Sequence, residues 1–222
     1  MKGIIRPSPS FRCGSKGLIT LTPQELTFWG KKLSFPSKTR LFGAHVYYGP
    51  SGALVGPALG APQAVMLLEN LIAAGVRECL VYGWAGALRP EVSLASLWAV
   101  EEAFSAEGTS RYYQPKDCFV HISSPFLSLL LKKIAPFWGK TVSTDAPYRE
   151  TPDFCSRWGE RVHLIDMEMA ALYAVASFYK INIVGLVVVS DRVWPKREQA
   201  RPREIKKWVY VLLPYWKEFF LS

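Results

Sequence analysis

Residues 162–191 read VHLIDMEMAALYAVASFYKINIVGLVVVSD, and the fold class is decided there. Residues 162–165 form an apolar run of strand length, residues 167–179 read as an amphipathic helix, and residues 183–190 are a nearly continuous β-branched run. A run that apolar suits a strand buried on both faces, as in parallel sheets. Strand, helix and strand in succession predict an α/β crossover unit. Two acids mark its junctions. Glu168 falls at the helix start, where the dipole and free backbone N–H groups favour an ionised carboxylate able to accept two hydrogen bonds from a vicinal diol; a plain capping role fits the same position. Asp191 follows the last strand, at the carboxyl edge where α/β sheets bind ligands. It either carries a raised pKa and gives up a proton, or caps the next segment.

The alternation continues on the N-terminal side of this unit. Short β-prone runs at 44–48 and 53–55 flank the turn Gly49-Pro50-Ser51-Gly52 and predict a hairpin. A Gly/Pro-rich loop at 56–62 leads into a helix over 63–74, where Val65, Leu68, Leu71 and Ile72 recur at helical spacing and Gly75 is the stop. Strands are predicted at 79–82, 97–100 and 141–144, a helix at 126–134, and a loop at Gly83-Trp84-Ala85-Gly86. No polar linker or internal repeat divides the chain, so residues 1–222 read as a single α/β domain with a largely parallel central sheet. Ligand-binding loops are expected after Val55, Tyr82, Thr144 and Val189. The aromatic tail 204–221 predicts a terminal helix docked on the core or on another subunit.

Together these residues form a pattern. The run Ile165-Asp166-Met167-Glu168-Met169-Ala170-Ala171-Leu172, followed one helix and one strand later by Ser190-Asp191, resembles the signature of the nucleoside phosphorylase family, which includes purine nucleoside and uridine phosphorylases. The resemblance takes in Thr144-Asp145-Ala146-Pro147-Tyr148, similar to the family's base-binding loop, the stretch Glu107-Gly108-Thr109-Ser110-Arg111-Tyr112-Tyr113, and the loops at Gly83–Leu88 and Leu59–Pro62. It covers roughly residues 40–191; residues 1–33 match poorly, with no clear counterpart of the family's N-terminal strand and phosphate loop.

The resemblance implies a three-layer α/β phosphorylase/hydrolase-like fold with a mixed central sheet, assembled as dimers or hexamers, with no metal or organic cofactor. It implies cleavage of a nucleoside's N-glycosidic bond, with inorganic phosphate as co-substrate, yielding free base and ribose 1-phosphate. Glu168 and Met167 would hold the ribose, Tyr148 would lie against the base, and Asp191 would protonate the leaving base. Ser190-Asp191 points to a purine nucleoside, since the pyrimidine branch lacks this acid. Arg40 would reach a neighbouring subunit's phosphate. The phosphate half departs from the pattern: Val81 and Trp84 stand where the family carries an arginine and a hydroxyl residue. Hydrolysis by water, or binding without catalysis, are the alternatives; the glutamate of the hydrolytic branch finds no match, the first glutamate being Glu25.

Composition narrows the field further. The 222 residues are 50% hydrophobic, enough for a sizeable core, and carry 27 Lys+Arg against 18 Asp+Glu, a net charge of +9. Those cations are scattered and lack an aromatic RNA-binding signature, so a solvated basic face is expected rather than a nucleic-acid site. No window approaches the roughly 18 apolar residues of a membrane span, and the basic, proline-containing N-terminus does not read as a signal peptide, so a cytoplasmic location is expected. The four cysteines and three histidines are dispersed, suggesting neither disulfides nor a metal site.

Overall fold

A computed structural model describes residues 4–222. In chain order the elements are β1 (Lys16–Thr20), α1 (Pro23–Lys32), β2 (Ser37–Leu41), β3 (Ala44–Gly49), β4 (Gly52–Gly56), α2 (Ala61–Ala74), β5 (Glu78–Ala87), β6 (Leu97–Ala106), β7 (Cys118–Val120), α3 (Pro125–Ile134), β8 (Phe137–Thr144), α4 (Pro152–Gly159), β9 (Leu164–Asp166), α5 (Met169–Tyr179), β10 (Asn182–Arg192), β11 (Glu198–Gln199), α6 (Pro202–Val211) and α7 (Leu213–Leu221).

The sheet runs β11-β10-β6-β8-β9-β5-β1-β4-β3-β2, and β10 pairs with β5 as well as with β6. That extra pairing closes β10, β6, β8, β9 and β5 into a ring. β1 lies parallel to both β4 and β5, β10 is parallel to β5, and β8 is parallel to β6 and β9; the β2–β3–β4 meander and the β10–β6 and β5–β9 pairs are antiparallel. The sheet is therefore mixed, and ring closure is a feature that strand patterning alone does not reveal.

Period-two alternation sorts side chains into two layers. Cys79 and Val81 of β5, with Val187 and Val189 of β10, face α2 and α5; Leu80 and Tyr82, with Leu186 and Val188, face the helices α1, α3, α6 and α7. Helices thus cover both faces of the sheet, giving three layers. α5 is buried on all sides from Met169 to Ala176, so it is a core helix, less amphipathic than its sequence suggested. The aromatic tail docks on the core, with Trp216, Phe219 and Phe220 buried.

Several boundaries differ from the sequence reading; β6 runs on to Ala106 and β8 begins at Phe137, where strands were expected at 97–100 and 141–144. Residues 16–32 form a central strand and a helix where no N-terminal strand was expected. Gly83-Trp84-Ala85-Gly86 is not a loop but the continuation of β5. These glycines permit close packing: a Cβ at Gly83 would lie 2.5 Å from the Leu21 side chain, and one at Gly86 would lie 2.5 Å from Val193. α5 begins at Met169, leaving Glu168 as its N-cap residue. Among the described residues no helix is long and apolar enough to cross a membrane.

Candidate active site

The strand β9 ends at Asp166, whose buried carboxylate organises the entry into α5. Its Oδ1 accepts the backbone N–H groups of Glu168 (2.7 Å) and Met169 (2.9 Å) and the Ser143 hydroxyl (2.7 Å), while Oδ2 accepts the Thr141 hydroxyl (2.6 Å). Asp166 thereby caps α5 and ties it to β8. Glu168 is turned toward the loop after β4, and its Oε1 accepts the Gly60 N–H at 2.6 Å. Gly60 has φ +80°, a left-handed conformation that glycine adopts without strain, and the turn there presents its N–H to the carboxylate.

Burial pushes the Glu168 carboxyl up to about 8, the charge of Asp166 adds to the shift, and the Gly60 hydrogen bond opposes it. Glu168 precedes the first helical turn, and there burial outweighs the hydrogen bonds that favour its anion.

Asp191 lies at the far end of β10. The register against β5 shifts between Val189 and Asp191, a bulge that re-aims the carboxylate. Its Oδ1 accepts the Ser190 hydroxyl at 2.7 Å, and Arg197 stands 3.7 Å from Oδ2.

A cavity of about 560 Å³ brings the two acids together with Met167, Tyr148, Leu59 and Trp84. Residues following β1, β4, β8 and β10 line it, so three of the four expected loops converge, and the fourth wall is the extended β5. Tyr148 is fully exposed, its ring standing at the rim. Arg40 sits exposed on the edge strand β2 and lines neither this cavity nor its neighbour. Val81 is buried in the core. Glu107 accepts the N–H groups of Thr109 and Ser110 and the Ser105 hydroxyl, and Gly108 N–H donates to Asp145, so that motif braces the loop bearing Tyr148 without facing the cavity.

An adjoining cavity of about 350 Å³ shares Trp84, Ser190, Asp191 and Arg197 with the first and contains Glu25. Glu25 is 1% exposed and accepts the Thr22 hydroxyl. Reading Gly17-Leu18-Ile19-Thr20 as a strand would have located it, since the helix after that strand carries it to the sheet's carboxyl edge. Glu150 and Arg197 also line the main cavity and were not singled out from sequence; both lie in polar segments without a motif.

The family model of the phosphorylase superfamily matches residues 19–211. The chain is 27% identical over 188 residues to a DeoD-type purine nucleoside phosphorylase from Streptococcus pneumoniae serotype 19F, covering 80% of this chain and 79% of that protein. In structure it resembles a 5'-methylthioadenosine/S-adenosyl homocysteine nucleosidase from Campylobacter jejuni (TM-score 0.76, 15% identity, 92% of this chain and 97% of that one). It also resembles a purine nucleoside phosphorylase from Toxoplasma gondii (TM-score 0.74, 15% identity, 99% and 97%). With a match over residues 19–211 and a mixed α/β fold shared with these structures, the protein belongs to the phosphorylase superfamily.

Proposed function

We propose that the protein cleaves the N-glycosidic bond of a purine nucleoside, with water as the nucleophile. The observation carrying this reading is the charge of the cavity. Glu150, Asp166, Glu168 and Asp191 line it against a single arginine, Arg197, and Glu25 stands in the adjoining space. Burial already raises Glu168 to about 8 and Glu150 to about 7. A cavity that resists the ionisation of its own carboxyls is a poor host for a phosphate dianion. A cation is treated oppositely. Positive charge developing on the sugar favours ionised Glu168, which stabilises that cation in return.

In this reading Glu168 and Met167 hold the ribose, Tyr148 covers the base at the rim, and Asp191 donates a proton to the departing purine. Glu25 takes a proton from the attacking water as the C–O bond forms and the C–N bond breaks. The products are a free base and a free sugar. Arg40 serves no phosphate in its own chain's cavity.

Phosphorolysis to ribose 1-phosphate is the second reading, favoured by the sequence likeness to purine nucleoside phosphorylases. A nucleoside panel assayed with and without phosphate separates them. Hydrolysis predicts equal rates in both buffers and free ribose as product. Release proportional to phosphate, with sugar 1-phosphate formed, would overturn it.

A further inference from the structure

The adjoining cavity is larger than the proposed reaction requires. A single water needs about 30 Å³, whereas this space of about 350 Å³ falls in the range of small-molecule sites. Its walls are fixed to one another. β11 pairs with the end of β10, Gln199 opposite Asp191, and the Ala200 N–H donates to the Ser190 carbonyl at 2.9 Å. α6 follows at once and is tied to α1, where the Trp29 indole N–H donates to the Val209 carbonyl at 2.8 Å. Glu25, in the first turn of α1, is held by the Thr22 hydroxyl.

The lining runs from exposed to buried. Gln24, Arg197, Gln199 and Lys206 are exposed, Trp84 and Asp191 are half-buried, and Glu25 is buried. The space shares Trp84, Ser190, Asp191 and Arg197 with the nucleoside cavity, but none of Met167, Glu168 and Tyr148. It therefore meets the nucleoside beside the scissile bond, between the group that protonates the base and the group that takes the nucleophile's proton. Two carboxyls and two cations line it, so neither sign of charge dominates. Carboxyl, amide and hydroxyl groups stand there beside an indole. That mixture suits a neutral compound with several hydroxyls, each carboxyl or amide serving two of them and the indole covering the C–H face.

We propose that the adjoining cavity is an acceptor subsite for a small neutral polyol, so that the protein transfers the ribosyl group to an alcohol as well as to water. This inference rests on the hydrolytic reading, with Asp191 as the acid and Glu25 as the base. A hydroxyl of the bound polyol attacks the anomeric carbon, and the C–O bond forms as the C–N bond breaks. The bonding pair leaves with the base, which receives the proton of Asp191, while the hydroxyl proton passes to Glu25. The products are a free base and an O-ribosyl polyol. Proton exchange with solvent returns both carboxyls to their starting states.

Glycerol is the probe. A purine nucleoside cleaved in phosphate-free buffer should yield ribosyl glycerol beside ribose, as a single anomer, read by mass spectrometry and carbon-13 NMR. At equal hydroxyl concentration glycerol should give at least about tenfold more glycoside than methanol, which is too small to span the lining. Equal yields per hydroxyl, or a mixture of anomers, would mean capture from bulk solvent, and ribose alone would mean a space for water only; each would overturn the subsite and leave hydrolysis standing. Ala200→Phe and Gln24→Trp narrow the cavity from its buried wall and from its exposed side. Each should lower the ratio of glycoside to ribose about tenfold. An unchanged ratio in both variants, with circular dichroism showing both folded, would also overturn it. No base release from any purine nucleoside in phosphate-free buffer would refute the hydrolytic reading and this inference with it.

Discussion

Glu168 sits where its burial opposes its charge. Its folded-state value of about 8 lies above that of an unfolded glutamate, so the folded protein holds this proton more tightly than the unfolded chain. The stability it contributes is fully present below about pH 4.5 and is lost as pH rises through about 8; Glu150, raised to about 7, acts in the same direction. Glu168→Gln keeps the shape and removes the titration. Urea unfolding across that range should therefore show a flatter pH dependence than the wild type, with stability at pH 8 equal or greater. Turnover should fall by about 10² to 10³, the scale of losing one charge that opposes a developing cation. A Gln variant with full turnover would leave Glu168 as a capping residue. At this scale the sequence was informative wherever residue type and a local motif coincide, as in Asp166-Met167-Glu168 and Ser190-Asp191. It was silent on Glu25 and Glu150, whose placement depends on pairings between distant segments.

The start of α5 is held by side chains instead of by helix propensity. Asp166 satisfies two hydroxyls and two backbone N–H groups, and Ser143 also accepts the Ala170 N–H at 2.9 Å, so β8, β9 and α5 are joined through one buried carboxylate. Replacing Asp166 by Ala strands those donors. Each buried unsatisfied group costs about 1–3 kcal/mol, and since the groups act as a unit the expected loss is about 3–5 kcal/mol. Glu168 loses its anchored backbone as well, so activity should fall together with the denaturation midpoint. An Ala variant within about 1 kcal/mol of wild type would show that water replaces the carboxylate at no cost. Most elements were legible from periodicity: the β3–β4 hairpin, α2, α3, and the β9–α5–β10 unit. The misreadings have physical causes. The glycines of Gly83-Trp84-Ala85-Gly86 resemble a turn, yet they keep Leu21 and Val193 in contact with a continuing strand. β1 is only five residues and opens with Lys16, whose ion pair with Glu78 is invisible in a linear pattern.

The molecule carries eight tryptophans; Trp29 and Trp216 are fully buried and pack edge to face at 5.5 Å, whereas Trp138 reaches the surface. Several exposed apolar side chains lie along α2 and α5. Met66, Phe178 and Tyr179 are exposed there, Tyr113 packs on Phe178 at 5.7 Å, and the Tyr179 hydroxyl donates to Glu69 at 2.8 Å. Gln63, near the start of α2, donates to the carbonyl of Phe42, which brings the turn two residues beyond Arg40 to the same end of that helix. A homo-oligomer formed through this face would cover the apolar side chains and bring Arg40 toward the partner. Net charge opposes it. With +9 on each copy, association should strengthen as salt screens the repulsion, whereas contacts made mainly by ion pairs would weaken. Light scattering at micromolar concentration should give at least a dimer at about 0.15 M salt and a smaller mean mass near 0.01 M. Phe178→Asp, which places a charge on the apolar face, should shift the protein to monomer while leaving its far-UV circular dichroism unchanged at 25 °C. A monodisperse monomer at every salt concentration would rule out the assembly and leave Arg40 with no role in a site.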